Sequence, residues 1–362
     1  MIEIESPPTM KAKDASEFAA LRRSKSTLPT AAFASVLAFT AISADAGEIG
    51  HYAGGLMNLR DYFVPDPGFY GALYNYGYTT DQLNDSHGNK VKSVTINPPR
   101  GGGPITVGVD VNVEMYVLAP TLIYSMDVES LGIRYAALIT PTFANANLNA
   151  ALSTATGHGG RTEASNLGVG DMFVQPAWLG KSFEHWDLSL AYGFYAPIGA
   201  YDTATFTLPG GVSVKGEAAD NLGFGFWTHQ IQGAAAWYPF DNKGTAVVAA
   251  LTYETNGKKQ DFDLTPGDNL TLNWGVSQIL PLKTDKSVLL DVGLAGYDTW
   301  QITDDTGSAA THIRDQVHAV GGQLGLVYMP WHTALTCHGY YEFAAKDRFQ
   351  GEVFDVSIVK KF

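Results

Sequence analysis

The feature that most constrains this chain is an alternation of side-chain character with a period of two. Along residues 185–198 the even positions are Trp186, Leu188, Leu190, Tyr192, Phe194, Ala196 and Ile198. The odd positions are His185, Asp187, Ser189, Ala191, Gly193, Tyr195 and Pro197. Successive side chains of an extended strand point to opposite faces, so this pattern builds a strand with one greasy face and one polar or small face. Residues 269–280 divide the same way, with Leu270, Leu272, Trp274, Val276 and Leu280 against Asn269, Thr271, Asn273, Gly275 and Ser277. In 131–143, Leu131, Ile133, Tyr135, Ala137, Ile139 and Phe143 oppose Gly132, Arg134, Ala136, Thr140 and Thr142. Helical periodicity is scarce after residue 66.

Alternation and turn residues together predict twelve strands, at 68–80, 111–126, 129–143, 164–181, 185–198, 221–240, 244–256, 268–281, 286–302, 313–330, 332–346 and 350–362. Most exceed the ~5–6 residues of soluble strands and reach the ~9–11 that a tilted strand needs to cross a bilayer. The links alternate in length. Long ones fall at 81–110, 144–163, 199–220, 257–267 and 303–312, with a shorter last one near Asp347-Arg348. Tight ones fall at Asp127-Val128, Ser182-Phe183-Glu184, Asp241-Asn242-Lys243, Leu282-Lys283-Thr284-Asp285 and Trp331. This is the pattern of an all-β, antiparallel transmembrane β-barrel of bacterial outer-membrane type, with long outer loops and short periplasmic turns. An even strand count puts both termini in the periplasm. A soluble sandwich also alternates, but Trp186, Trp237, Tyr238, Tyr253, Trp300, Tyr328 and Trp331 gather near strand ends as membrane-interface girdles do. Only closure satisfies every backbone group in lipid, so the bilayer is the first expected partner.

Composition agrees. Against 36 Asp+Glu the 362 residues carry 23 Lys+Arg, a net charge of −13, and nucleic acid is excluded for want of a basic surface. Mean hydropathy is −0.04 because apolar and polar faces cancel. The one cysteine, Cys337, leaves no intramolecular disulfide and no thiolate metal site. No G-x-S-x-G elbow, H-E-x-x-H, P-loop or paired C-x-x-C occurs, so no catalytic residue, metal or cofactor is expected. Asp304, Asp305 and Asp315 read as a solvated loop or as a loop site for a hard cation.

Residues 1–46 read as a signal peptide: Arg22, Arg23 and Lys25, then an uncharged stretch from Ala31 to Ser43, then Ala44-Asp45-Ala46. A start at Met10 would remove the acidic residues Glu3 and Glu5 ahead of it. Residues 67–362 form the barrel. Between them, 47–66 carry Tyr52, Met57, Leu59, Tyr62 and Phe63, too apolar for an idle tail. This segment is expected to fold into the periplasmic mouth as a plug. Parity points Arg134, His185, Asp187, Glu254, Asp291, His338 and Glu342 into the lumen. They either fill and rigidify the interior or form a constriction that orients a solute. Roughly eight strands leave a filled interior and about sixteen an aqueous channel; twelve imply a narrow lumen for a small elongated or planar molecule. The last residue, Phe362, shares a face with Ile358, Val356 and Phe354 and resembles the signal read by the outer-membrane barrel assembly machinery, from which Lys360 departs.

Residues 47–362 also resemble the outer-membrane protein family named for the meta-pathway of phenol degradation. The similar elements are Pro65-Asp66-Pro67-Gly68-Phe69-Tyr70, Leu167-Gly168-Val169-Gly170-Asp171, Gly199-Ala200-Tyr201-Asp202 and Asn221-Leu222-Gly223 with Phe226-Trp227. Tyr253-Glu254-Thr255-Asn256-Gly257-Lys258 follows, then Gly296-Tyr297 with Gln301-Ile302-Thr303-Asp304-Asp305-Thr306-Gly307. The resemblance implies a twelve-stranded barrel that passes small hydrophobic or aromatic compounds. A structural or adhesive barrel with working loops, and a barrel hydrolase, are the alternatives.

Overall fold

The computed structural model describes residues 49–96, 105–154, 159–208, 212–218, 221–310 and 313–362. The expected signal peptide lies outside them. The strands are β1 (Gly68–Thr80), β2 (Ser93–Ile96), β3 (Ile105–Val128), β4 (Ile133–Thr140), β5 (Phe143–Thr154), β6 (Gly159–Val169), β7 (Met172–Ser182), β8 (Trp186–Ala196), β9 (Thr203–Leu208), β10 (Val212–Glu217), β11 (Thr228–Trp237), β12 (Thr245–Asn256), β13 (Asn269–Pro281), β14 (Val288–Gln301), β15 (Gln316–Tyr328), β16 (Thr333–Lys346) and β17 (Glu352–Lys361). Twelve of them, β1, β3, β4, β7, β8 and β11 to β17, close into an antiparallel barrel, with β1 hydrogen-bonded to both β17 and β3.

The alternation sorts the two faces. Outward residues form an apolar belt that includes Leu122, Leu188, Leu190, Ile231, Leu251, Val276, Leu294 and Leu324. Exposed aromatics bracket it: Phe183, Trp186, Trp237, Phe240, Trp331 and Phe362 at the short-turn end, and Trp227, Tyr341, Phe343 and Phe354 toward the long-loop end. Tyr238 departs from the expected girdle: it is buried, and its hydroxyl donates to Asp187 Oδ2 (2.6 Å) inside the barrel. His229 and His318 sit on the outer face, bonded to the Tyr192 hydroxyl (2.9 Å) and the Asp298 carboxylate (2.5 Å). Lys360 folds over the Phe362 ring and donates to Trp331 O (3.0 Å).

Five expected spans are corrected. The strand expected at 221–240 starts only at Thr228. The long links 144–163 and 199–220 are not open loops, since β5 and β6 pair with each other and β9 and β10 form a hairpin. The spans 129–143 and 164–181 are each broken, at 141–142 between β4 and β5 and at 170–171 between β6 and β7. Pro141 explains the first break, because it removes a ladder donor. A second irregularity sits within β7, which carries one extra residue against both β4 and β8 around Pro176. A bulge shifts side-chain parity, so Gln175 and Trp178 both point inward and both are buried.

Candidate functional site

A segment without regular secondary structure inside a barrel must find partners for its backbone groups. Residues 49–66 find them on inward-facing side chains. Tyr52 N donates to Glu254 Oε1 (2.9 Å), Gly55 N to Asn273 Oδ1 (3.0 Å) and Leu59 N to Gln323 Oε1 (3.0 Å). Ser189 Oγ donates to Tyr62 O (2.6 Å) and Ser125 Oγ to Pro65 O (2.8 Å). The Arg60 guanidinium bonds Ser277 Oγ (2.8 Å) and Gly244 O (2.7 Å). Tyr52, Leu59 and Tyr62 are buried, and Met57 and Phe63 are half-buried against the same cluster of Tyr76, Ala236, Val248, Ala295 and Tyr297. Gly275 makes room for Leu59, since a Cβ there would stand 2.7 Å from the Leu59 methyl carbons. The polar lumen of β12 to β17 is thus the docking face of the N-terminal segment.

The seven charged lumen candidates all lie on the inner side or at its rim, but they do not form one ring. Arg134 sits at the short-turn mouth, bonded to Asp66 (2.8 Å) and Asp127 (3.3 Å). His185 and Asp187 lie at the same end: His185 Nδ1 is 2.9 Å from Tyr238 O, and Asp187 is 3.4 Å from Lys243 Nζ. Asp291 accepts from Ser277 Oγ (2.6 Å) and Gln323 Nε2 (2.8 Å). His338, mid-strand, contacts Gly55 O (3.2 Å) and Asn58. Glu254 and Glu342 belong to the long-loop half, where Glu342 accepts from the Tyr297 (2.8 Å) and Tyr78 (3.1 Å) hydroxyls. The acids considered for a loop cation are dispersed: Asp304 pairs with Arg314, Asp305 accepts from Gly267 N, and Asp315 pairs with Arg348.

Beside the docked segment a cavity of about 1240 Å³ remains. One wall carries the β1 tyrosines Tyr70, Tyr74, Tyr76 and Tyr78, continued by Ile123 and Trp178, with the Tyr74 hydroxyl also donating to Asp61 of the segment (3.3 Å). These tyrosines come from the alternating run Gly68-Phe69-Tyr70-Gly71-Ala72-Leu73-Tyr74-Asn75-Tyr76-Gly77-Tyr78, in which every second residue faces inward.

The long-loop end of the cavity is built by residues that strand parity did not single out. Asp171, buried, receives Gly199 N on Oδ1 (2.9 Å) and Phe224 N on Oδ2 (2.8 Å). Its Oδ2 also holds His51 Nε2 (2.9 Å), while His51 Nδ1 lies 2.8 Å from Thr228 Oγ1. Three glycine-bearing turns, at Gly170, Gly199 and Gly223, meet around this carboxylate so closely that a Cβ on Gly199 would stand 2.8 Å from the backbone of both others. Three of the sequence elements that carried the resemblance therefore converge in space.

A family model described as putative MetA-pathway of phenol degradation matches residues 80–357. The chain belongs to this family. No curated protein matches the sequence. Among solved structures, an outer membrane channel from Pseudomonas putida F1 superposes with a TM-score of 0.59 at 15% identity, covering 84% of this chain and 100% of that one. The β domain of a Bordetella autotransporter gives 0.45 at 11% identity, covering 82% and 100%. The first likeness shares the barrel fold.

Proposed function

We propose that the chain is an outer-membrane channel for small hydrophobic or aromatic molecules and that it performs no chemistry on them. The cavity wall carries this reading: inward aromatic rings at Tyr70, Tyr74, Tyr76, Tyr78 and Trp178 offer a planar apolar solute a path of similar contacts, which a water-filled sugar pore does not need. Strand β1 begins and strand β17 ends at the short-turn end, which we assign to the periplasm, while His51 lies at the opposite, long-loop end. Residues 49–66 then act as a plug that narrows the lumen to the aromatic side. Arg134, with Asp66 and Asp127, forms the charged rim that a solute passes on leaving. Exposed Phe362 at the end of β17 is the group offered to the barrel assembly machinery.

The test is permeation. Expressed in a host lacking such channels, the protein is expected to speed entry of radiolabelled naphthalene across the lipopolysaccharide-bearing outer membrane. Proteoliposomes holding it should swell in arabinose little faster than empty ones. Naphthalene entry no faster than in the empty host would overturn the reading.

A further inference from the structure

One side chain of the N-terminal segment is held as a ligand would be. The His51 ring stacks on Tyr195 (centroids 4.7 Å apart, planes 20° apart), leans on Phe224 (4.5 Å) and meets the edge of Phe226 (5.0 Å). Phe173 backs Tyr195 at 4.6 Å. The two ring nitrogens reach out of this aromatic box to polar groups on opposite sides, the Asp171 carboxylate and the Thr228 hydroxyl. All the walls belong to the barrel or to the β8–β11 connection, which the barrel holds through Asp171. Only the occupant belongs to the N-terminal segment. His51, Asp171, Phe173, Tyr195 and Phe224 also line the main cavity, so the box opens onto the tyrosine file. Just beyond the occupant the segment turns at Gly55, with φ of +75°.

We propose that this box is a binding subsite for a planar aromatic solute bearing a hydroxyl group, and that His51 is a resident stand-in which the solute displaces. The aromatic walls take any flat ring. The carboxylate adds the selection: a ring hydroxyl donates to Asp171 Oδ2 in place of the imidazole N–H, an unsubstituted ring leaves that oxygen with the Phe224 N–H alone, and an aromatic carboxylate meets like charge. The inference rests on the channel reading only for how a solute arrives. The binding step stands by itself.

The experiment uses the refolded barrel in detergent and fluorine NMR titration with three probes: 4-fluorophenol, fluorobenzene and 4-fluorobenzoate. In His51→Ala the box is vacated, and 4-fluorophenol is expected to bind about tenfold to a hundredfold more tightly than fluorobenzene, the range that a hydrogen bond to a charged group supplies. Fluorobenzoate should not bind, and free imidazole should compete with the phenol for the emptied box. Wild type should bind 4-fluorophenol more weakly than His51→Ala, since only the fraction with His51 displaced is competent. A second variant lacking residues 48–64 removes the occupant without touching any wall and should bind like His51→Ala. Equal affinity for phenol and fluorobenzene in both variants, or phenol binding unaffected by loss of His51 and by imidazole, overturns the proposal. Selective phenol binding without accelerated naphthalene entry would keep the box and refute the channel; entry without selective binding would do the reverse.

Discussion

Deleting residues 48–64 is expected to raise single-channel conductance several-fold while leaving a folded barrel. The segment is bonded across the lumen to Glu254, Asn273, Gln323 and Ser277, on three different strands, and its side chains fill the space in front of Ala236, Val248 and Ala295. None of the twelve ladder pairings uses it. Removing it exposes polar side chains to water, which can satisfy them, so the loss costs little wall stability. The open cross-section should then extend from the tyrosine file to the opposite wall. Conductance in planar bilayers, with heat-modified gel mobility to confirm folding, is the measurement. A folded deletion variant with unchanged conductance would remove the plug from the account.

Gly199→Val should strongly damage the packing of the long-loop end around Asp171. Overpacking a tight site commonly costs ~1–3 kcal/mol, because neighbours must shift. At Gly199 the neighbours are backbone atoms of Gly170 and Gly223 together with the Asp171 carboxylate, none of which is the flexible end of a side chain. Separating these turns also strips Asp171 of its two backbone donors, and each buried group left without a partner costs a further ~1–3 kcal/mol. The yield of folded barrel from refolding is expected to fall sharply, whereas Gly233→Val, on a strand position where an added Cβ meets nothing within 4 Å, should refold normally. Equal yields for the two variants would show that the seam is not closely packed.

The barrel was legible in the sequence wherever a strand has unlike neighbours on its two sides. In β8 and β13 lipid and lumen impose a strict period of two, and both strands lie where alternation predicts. Legibility failed where the strand itself is irregular. The extra residue at Pro176 resets the parity, and a reader counting odd and even positions through β7 would assign Trp178 to lipid although it is buried within. The girdle reading failed at Tyr238 for a related reason: it follows the last residue of β11, and the turn carries its ring inward.

The lumen residues Glu254, Asp291, His338 and Glu342 could be placed inside by parity, but not matched to partners. The partners of Glu254 and His338 lie on a segment whose path across the lumen follows no periodicity, and those of Asp291 and Glu342 lie on other barrel strands. His51 carried no sequence signal of its own, being one histidine in an irregular stretch. Asp171, Gly199 and Gly223 were visible only as separate pieces of a resemblance. Local sequence determined the strands, their faces and the alternation of long and short connections, because each depends on which neighbours within a few residues prefer lipid or water. Tertiary structure alone decided what occupies the lumen and what surrounds His51, because those contacts join residues more than a hundred positions apart, 120 for His51 and Asp171, and form only once the sheet has closed.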